Sequence, residues 1–288
     1  MFRSLLFVPG SSIKMILKAQ ETEADALVLD LEDAVAPEHK VEARATVSQI
    51  LREVDFNDKE VFVRINSLRT VWGLDDARAA VAGGARGLLI PKIDNVDDVT
   101  TIAAVLNARL HKSEDRQRPQ ILCLIETARG VFASRSLAES NDLVTGLMFG
   151  ASDLARDLGC RLTEEEPELL MARSHVLLAA RAAGIKAYDS PHFGVHDLEA
   201  LRRRCLATRQ LGYDGKTAIH PTHLAIINQV FSPTAEQIAE AEWVVAAMEG
   251  AQSHGRGATT LHGKMIDQVH LAEAKSLLAR VHKANAIG

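Results

Sequence analysis

Acidic side chains recur in this sequence directly after short apolar runs. Asp30, Glu32 and Asp33 lie at the end of one run, Glu126 follows another, and Asp153 comes shortly after a third. Carboxylate oxygens are the ligands that Mg²⁺ prefers, usually one or two carboxylates completed by water and substrate oxygens. Glu126 and Asp153 are therefore candidate metal ligands. The alternative interpretation is that these two carboxylates belong to structural salt bridges.

Further polar residues follow the same kind of run and would complete such a site. The cluster of Asp30, Glu32 and Asp33 could orient metal-bound water as a second layer of partners. Arg64 carries a planar guanidinium whose fork matches both oxygens of a carboxylate, which suits it to hold an acidic substrate. His220 follows the last apolar run and is a candidate substrate contact.

These residues are far apart in sequence, so the fold must bring the ends of the apolar runs together. Each run is short and almost wholly apolar, as expected of a strand that is buried on both faces. The predicted strands are Leu5–Val8, Ala26–Leu31, Val61–Ile65, Gly87–Ile90, Ile121–Ile125, Leu143–Phe149, Gly184–Ala187 and Thr217–Ile219. Helical stretches lie between them, such as Lys40–Val54, Val96–Lys112, Glu166–Ala183 and Val195–Leu211.

Alternation of strand and helix predicts parallel β/α units, and eight units predict a closed (β/α)₈ barrel (TIM barrel). The carboxyl ends of the strands share one rim of such a barrel, which is where the chemistry takes place. The barrel is expected to span 1–250. Residues 251–288 begin with a Gly/Ser-rich stretch and continue as a helical segment, which predicts a hinge and a C-terminal arm or lid.

Composition excludes several classes of function. The net charge is −5 with acidic and basic residues mixed along the chain, unlike the basic stripe of a nucleic-acid-binding surface. No apolar run approaches the ~20 residues of a membrane span, and the first residues lack the features of a signal peptide. The three cysteines have no CxxC spacing, so neither a disulfide framework nor a zinc site is expected. A cytoplasmic location is the resulting expectation.

A set of motifs, taken together, resembles the citrate lyase β-subunit/malyl-CoA lyase family. The resemblance extends from residue 3 to about residue 270, essentially the whole chain. The motifs are Leu6–Ser11, Leu29–Val35, Val63–Asn66, Ile90–Lys92, Ile125–Thr127, Gly150–Asp153, Gly215–Pro221 and Gly263–Asp267.

The resemblance implies roles for individual residues. Glu126 and Asp153 match the two protein ligands of Mg²⁺ in the family, and Arg64 matches the residue that holds the carboxylate of the oxoacid. Asp267 matches the catalytic acid/base, which the C-terminal arm delivers, often to a neighbouring subunit. The family also implies a homotrimer or a multiple of it.

One position departs from the family pattern. The family commonly has Arg-Pro after Pro-Gly-Ser, where the Arg grips the phosphates of coenzyme A, but this chain has Ser12-Ile13. Lys18 matches a basic position of the family, and Lys14 is a candidate replacement for the missing Arg. An acyl carrier protein in place of coenzyme A is the alternative carrier.

The resemblance implies a Mg²⁺-dependent lyase that reversibly cleaves a malyl-CoA or citramalyl-CoA type of thioester into acetyl-CoA and a 2-oxoacid. The alternatives are a citrate lyase β subunit that acts on citryl-acyl carrier protein, a malyl-CoA thioesterase, and a catalytically silent scaffold. A Schiff-base aldolase built on Lys92 is a further alternative. No nucleic acid or membrane is expected among the partners.

Overall fold

The computed structural model describes residues 1–57, 59–110 and 118–285. Within these residues, eight parallel strands pair in sequence order and close into a barrel, which confirms the (β/α)₈ prediction. The strands are β1 Ser4–Pro9, β2 Ala26–Asp30, β3 Glu60–Arg64, β4 Gly87–Ile90, β5 Gln120–Ile125, β6 Val144–Phe149, β7 Lys186–Asp189 and β8 Gly215–Ala218. The last strand closes the circle, since Leu5 lies opposite Thr217.

Helices connect the strands. They are α1 Ile13–Gln20, α2 Lys40–Glu53, α3 Gly73–Gly83, α4 Val96–Leu110, α5 Ala128–Glu139, α6 Ala151–Leu158, α7 Leu170–Ala182, α8 Leu198–Leu211 and α9 Leu224–Phe231. The last two residues of the predicted helix Val96–Lys112 lie outside the described residues. No helix among the described residues combines the length and apolar content needed to cross a membrane.

The seventh and eighth strands begin two residues away from their predicted starts. The predicted strand Gly184–Ala187 begins instead in the turn that ends α7, where Gly184 has a φ of 69° and the Ile185 N–H bonds to the Ala180 carbonyl. In both strands a polar residue, Asp189 or Lys216, occupies a buried position. Because of these polar residues, the apolar pattern does not mark the end of β7 or the start of β8.

The barrel core has two layers because successive residues of a strand face opposite sides of the sheet. In β2, Ala26 and Val28 pack in a cluster with Phe62 and Tyr188 inside the barrel. The intervening residues, such as Leu27, pack in the larger layer beneath the helices. This packing holds the strand ends, and hence the rim, in fixed positions.

A buried ionic network lies on the outer face of β7 and β8. Lys216 pairs with Asp189, and Asp189 also accepts a hydrogen bond of 2.9 Å from Nε of Arg173. Arg173 in turn donates to Glu166 at 2.7 Å. Burial opposes ionisation of Asp189, but Lys216 and Arg173 outweigh it and lower the pKa of this carboxyl group. These buried groups therefore stay ionised because each has a partner of opposite charge.

The rest of the chain, from Ser232, forms a second compact unit. It contains α10 Ala235–Ser253, the hairpin strands β9 Thr259–Leu261 and β10 Lys264–Ile266, and α11 Gln268–Asn285. The division falls earlier than the expected boundary at residue 250. The reason is that Val244 and Met248 of α10 pack with Ile266 and Leu271 in a core of their own.

Lys216→Met should lower the melting temperature substantially, because it leaves Asp189 buried without its ammonium partner. Breaking such a pair costs about 3–5 kcal/mol. Arg135→Met is the matched control, since the 3.1 Å pair of Arg135 with Glu139 is exposed to solvent and should contribute less than about 1 kcal/mol. Thermal unfolding of both variants tests this difference, and equal melting temperatures would contradict it.

Candidate active site

The carboxyl ends of the barrel strands surround a cavity of about 350 Å³. Asp30 ends β2, Arg64 ends β3, Glu126 follows β5, and Asp153 lies in the first turn of α6. These four side chains and Asp33 line the cavity. The structure therefore brings together most of the polar residues that the sequence singles out.

Glu126 and Asp153 approach each other because β5 and β6 are neighbours and Gly150 separates β6 from α6. A Cβ atom on Gly150 would lie 2.5 Å from Cβ of Glu126 and 2.8 Å from its Oε2. Only glycine leaves this space free. Asp153 lies at the N-terminus of α6, where the helix dipole stabilises a negative charge, and it pairs with Arg156 one turn later.

The carboxyl group of Glu126 is almost fully buried, with 3% of the residue exposed. Its pKa is raised to about 8, mainly by burial and then by the nearby carboxylates of Glu32 and Asp153, while Lys92 and Arg64 lower it by less. A cation between the carboxylates would reverse this balance, because it favours the ionised form. The electrostatics of the described residues therefore fit a bound cation.

Two further observations test whether Mg²⁺ fits this site. Oε2 of Glu32 is buried and lies 3.1 Å from Nη1 of Arg64, but it accepts no hydrogen bond of regular geometry, which leaves acceptor capacity for a metal-bound water. Among the described residues, no group of three or more His, Cys, Asp and Glu side chains is placed to hold a metal. A site with two protein carboxylates and several water ligands is what Mg²⁺ commonly has. Glu126 and Asp153 fit that description.

Arg64 is surrounded by carboxylates of the acidic cluster, so only part of its guanidinium group is available to a ligand. Its Nε and Nη2 donate to the two carboxylate oxygens of Asp30 at 2.7 and 2.6 Å. Its Nη1 lies 3.1 Å from Glu32 and 3.4 Å from Asp33, and its guanidinium stacks 5.0 Å from the centre of the Phe7 ring. Since guanidinium has five N–H donors, the second N–H of Nη2 is left for a ligand oxygen.

Lys92 is a site residue whose part the sequence did not reveal. Its backbone has a φ of 50°, a left-handed conformation that is costly for a non-glycine residue. In this conformation its N–H donates to Oε1 of Glu126 at 2.8 Å, while its ammonium pairs with Glu32. Lys92 thereby fixes two carboxylates at once.

The ionic contact of Lys92 also bears on the Schiff-base alternative. Burial lowers the pKa of the ammonium, but the bond and charge of Glu32, together with the charges of Glu126 and Asp33, outweigh burial, and the net pKa is raised. A Schiff base forms from the neutral amine, which a lowered pKa would favour. The environment of Lys92 therefore disfavours the aldolase alternative.

Three of the predicted substrate contacts are not among the residues that line the cavity. Lys14 and Lys18 are exposed on α1, the helix that follows β1 at the same rim. Nδ1 of His220 lies 2.8 Å from the Thr222 hydroxyl at the start of a short 3₁₀ helix, Pro221–His223. Their roles in substrate binding stay predictions.

The inner part of the cavity is apolar. Leu124 and Met148 lie two residues before Glu126 and Gly150 on their strands, so they face the barrel interior one layer below the rim. Phe193 and Ile219 add further apolar walls. The apolar runs contain these residues, but the sequence alone does not distinguish them from the rest of the core.

Asp267 belongs to the second unit, between β10 and α11. Its side chain is 40% exposed, and its Oδ1 lies 2.8 Å from Nδ1 of His270. The bond from His270 and the bond from the Val269 N–H lower the pKa of Asp267, so the carboxyl group is ionised at neutral pH. The ionised carboxylate can accept a proton, although the same bonds make it a weaker base than an ordinary aspartate.

Residues 3–221 match the protein-family model described as HpcH/HpaI aldolase/citrate lyase. Over 286 residues the chain is 37% identical to a (3S)-malyl-CoA thioesterase of Cereibacter sphaeroides, which covers 99% of this chain and 95% of the relative. Over 280 residues it is 35% identical to citrate lyase subunit beta of Escherichia coli, which covers 96% of this chain and 92% of the relative.

A solved structure is similar over almost the whole chain. It is the protein CitE from Mycobacterium tuberculosis in complex with magnesium, acetoacetate and coenzyme A, with a TM-score of 0.78 and 29% identity. The similarity covers 96% of this chain and 97% of that one. A magnesium-bound neighbour is consistent with the carboxylate geometry at the rim.

Gly150→Ala should weaken Mg²⁺ binding, because the added methyl group displaces the Glu126 carboxylate. Disturbing the support of a metal ligand typically costs about 10–100-fold in affinity, which a calorimetric Mg²⁺ titration would measure. Gly250→Ala is the matched control, since a Cβ there meets no atom within 4 Å and lies in helix α10. Equal Mg²⁺ affinities in the two variants would contradict the packing argument.

Proposed function

The chain belongs to the HpcH/HpaI aldolase/citrate lyase family, and on this basis we propose that it is a Mg²⁺-dependent carbon–carbon lyase. Its substrate is a 3-hydroxyacyl-CoA of the malyl-CoA or citramalyl-CoA type, cleaved reversibly to acetyl-CoA and a 2-oxoacid. The observation that carries the proposal is the pair Glu126 and Asp153 beside Arg64 at the open end of the cavity.

Each residue of the cavity has a part in this reaction. Glu126 and Asp153 would hold Mg²⁺, which when bound supplies Lewis-acid polarisation of the oxoacid carbonyl. Arg64 offers its remaining Nη2 N–H to a carboxylate oxygen of the substrate, and Asp30 keeps the guanidinium in place. Lys92 orients Glu126 through its backbone N–H.

Proton transfer at the acetyl group falls to Asp267. In synthesis its carboxylate removes a proton from the methyl group of acetyl-CoA, and the resulting enolate attacks the carbonyl carbon of the oxoacid. In cleavage the 3-hydroxyl group loses its proton to solvent and becomes the oxoacid carbonyl, the carbon–carbon bond breaks with its electron pair on the thioester side, and Asp267 gives a proton to the resulting enolate carbon. In synthesis the alkoxide formed by the attack takes a proton from solvent. A positioned acid/base of this kind contributes about 10²–10⁴-fold to the rate.

The charges that line the cavity favour an oxoacid with one carboxylate. Among the described lining residues Arg64 is the cation, and the acids there are Asp30, Asp33, Glu126 and Asp153. Cleavage of a citryl group leaves oxaloacetate, whose second carboxylate would lie unpaired near these acids. Glyoxylate and pyruvate avoid this repulsion, which supports malyl-CoA or citramalyl-CoA over citryl-acyl carrier protein.

Thioester hydrolysis is the second candidate. A relative that covers nearly the whole chain is named a malyl-CoA thioesterase. The same metal and base could direct water to the thioester carbonyl of malyl-CoA, which would give malate and free coenzyme A. The products distinguish this reaction from carbon–carbon cleavage.

The deciding experiment is a cleavage assay on the purified protein with Mg²⁺ and, separately, malyl-CoA, citramalyl-CoA and citryl-CoA. We expect acetyl-CoA together with glyoxylate or pyruvate, trapped as a hydrazone, and no activity in EDTA. Free coenzyme A without oxoacid would identify a thioesterase. Cleavage of citryl-CoA alone would overturn the argument from the cavity charges.

The same assay tests the metal ligands. Glu126→Gln and Asp153→Asn should each remove Mg²⁺-dependent turnover while the barrel stays folded. Asp157→Asn is the matched control, because Asp157 lies on the same helix and its carboxylate instead accepts from the Ala128 N–H at 2.7 Å. Unchanged turnover in either variant would contradict the assignment of Glu126 and Asp153 as metal ligands.

We further propose a homotrimer, or a multiple of it, in which Asp267 of one subunit serves the cavity of a neighbour. Mixed oligomers of Asp267→Asn chains and Arg64→Ala chains should then regain activity, because some cavities receive an intact Arg64 and an intact Asp267. Each variant alone should be inactive. Mixed oligomers that stay inactive would show that Asp267 works within its own chain.

A further inference from the structure

Asp267 is held at a fixed place by the elements on either side of it. The hairpin of β9 and β10 turns through His262 and Gly263, whose φ values of 50° and 77° are those of a two-residue turn that matches the strand twist. Asp267 follows directly and is the N-cap of α11, since its carbonyl accepts the Leu271 N–H at 3.0 Å and its Oδ1 accepts the Val269 N–H at 3.0 Å.

A second side chain reaches the same carboxylate oxygen. Nδ1 of His270 lies 2.8 Å from Oδ1 of Asp267, and it also lies 3.3 Å from the backbone nitrogen of Asp267. One nitrogen cannot both donate to the carboxylate and accept from the N–H. An unprotonated nitrogen 2.8 Å from a carboxylate oxygen would set two lone pairs against each other, so the proton is on Nδ1 and His270 donates.

This arrangement gives the two carboxylate oxygens of Asp267 different environments. Among the described residues, the hydrogen bonds to the carboxylate all go to Oδ1, from Val269, His270 N and His270 Nδ1. Oδ2 is left to exchange a proton. The N-cap bonds come from the backbone and hold the carboxylate near the helix end, whereas the imidazole bond fixes its rotation.

From this geometry we infer that His270 is a positioning residue that holds Asp267 with Oδ2 aimed for proton transfer. The inference rests on the proposed function, because it assigns the acid/base role to Asp267. His270 does not touch the substrate. It acts through Asp267, as the third member of a catalytic triad orients the base beside it.

The energetic consequence follows from the backbone contacts. Removing the imidazole leaves the N-cap bonds of α11 in place. The side chain of His270 is 47% exposed, so its loss should not unfold the protein. The carboxylate would then rotate between conformers, and a misplacement of about 1 Å can cost about 100-fold in rate. The loss should appear in kcat, with KM nearly unchanged, because substrate binding does not use this bond.

The experiment compares four variants in the assay that establishes the reaction. We expect His270→Ala to lower kcat by about 10–100-fold with little change in KM. His270→Asn should recover most of the rate, because its side-chain amide can place an N–H close to the position of Nδ1. His254→Ala removes an imidazole from the end of α10 in the same unit and should behave as the unmodified protein. Asp267→Asn should be inactive.

The outcomes separate the inference from the function on which it rests. Full activity of Asp267→Asn would remove the acid/base assignment, and the role of His270 with it. An inactive Asp267→Asn beside an unaffected His270→Ala would overturn the inference and leave the function. A loss in His270→Ala that His270→Asn does not restore would also overturn it. Thermal unfolding of each variant distinguishes lost positioning from lost folding.

Discussion

Carboxylates crowded at one rim of the barrel set the constraint on which the site depends. Burial and like charges raise the pKa of Glu126 to about 8, and Glu32 likewise has a raised pKa because burial outweighs its contacts with Arg64 and Lys92. These two cations offset part of the negative charge without neutralising it. A divalent cation would neutralise the remaining negative charge. The affinity for metal therefore arises from a cluster of acids that the fold holds together against their mutual repulsion.

Holding such a cluster requires a scaffold that does not relax. The closed barrel has no free edge along which a strand could slip, and alternate residues of each strand are committed to one of two packed layers. At the rim, Gly150 lets β6 approach Glu126 more closely than any side chain would allow. Lys92 adopts a left-handed backbone conformation that directs its N–H at the same carboxylate. Strain at Lys92 and buried charge are both sustained by the packing beneath them.

Much of this organisation could be predicted from the sequence, and the remainder depends on distances that the sequence does not contain. Apolar runs located most strands, and polar residues at their ends located Glu126, Asp153 and Arg64 at the rim. The polar residues Asp189 and Lys216 concealed the ends of β7 and β8, because their pairing is visible only in three dimensions. The left-handed φ of Lys92 likewise accompanies a hydrogen bond to Glu126, 34 residues away. The helix α10 has apolar residues that fit a barrel layer or a separate core equally well, so the sequence does not indicate the division at Ser232.

The cavity carboxylates also explain why the acid/base should lie outside the barrel. Asp30 accepts a hydrogen bond from Arg64, Asp153 forms an ion pair with Arg156, and Glu126 accepts a hydrogen bond from the Lys92 N–H. A carboxylate that binds a metal or an arginine is a poor base, because the neighbouring positive charge stabilises its ionised form and lowers its affinity for a proton. The hydrogen bonds to Oδ1 also lower the pKa of Asp267, but among the described residues they leave its Oδ2 accessible for proton exchange. In the proposed mechanism, a base on a separate unit keeps metal binding and proton transfer from competing for the same oxygens.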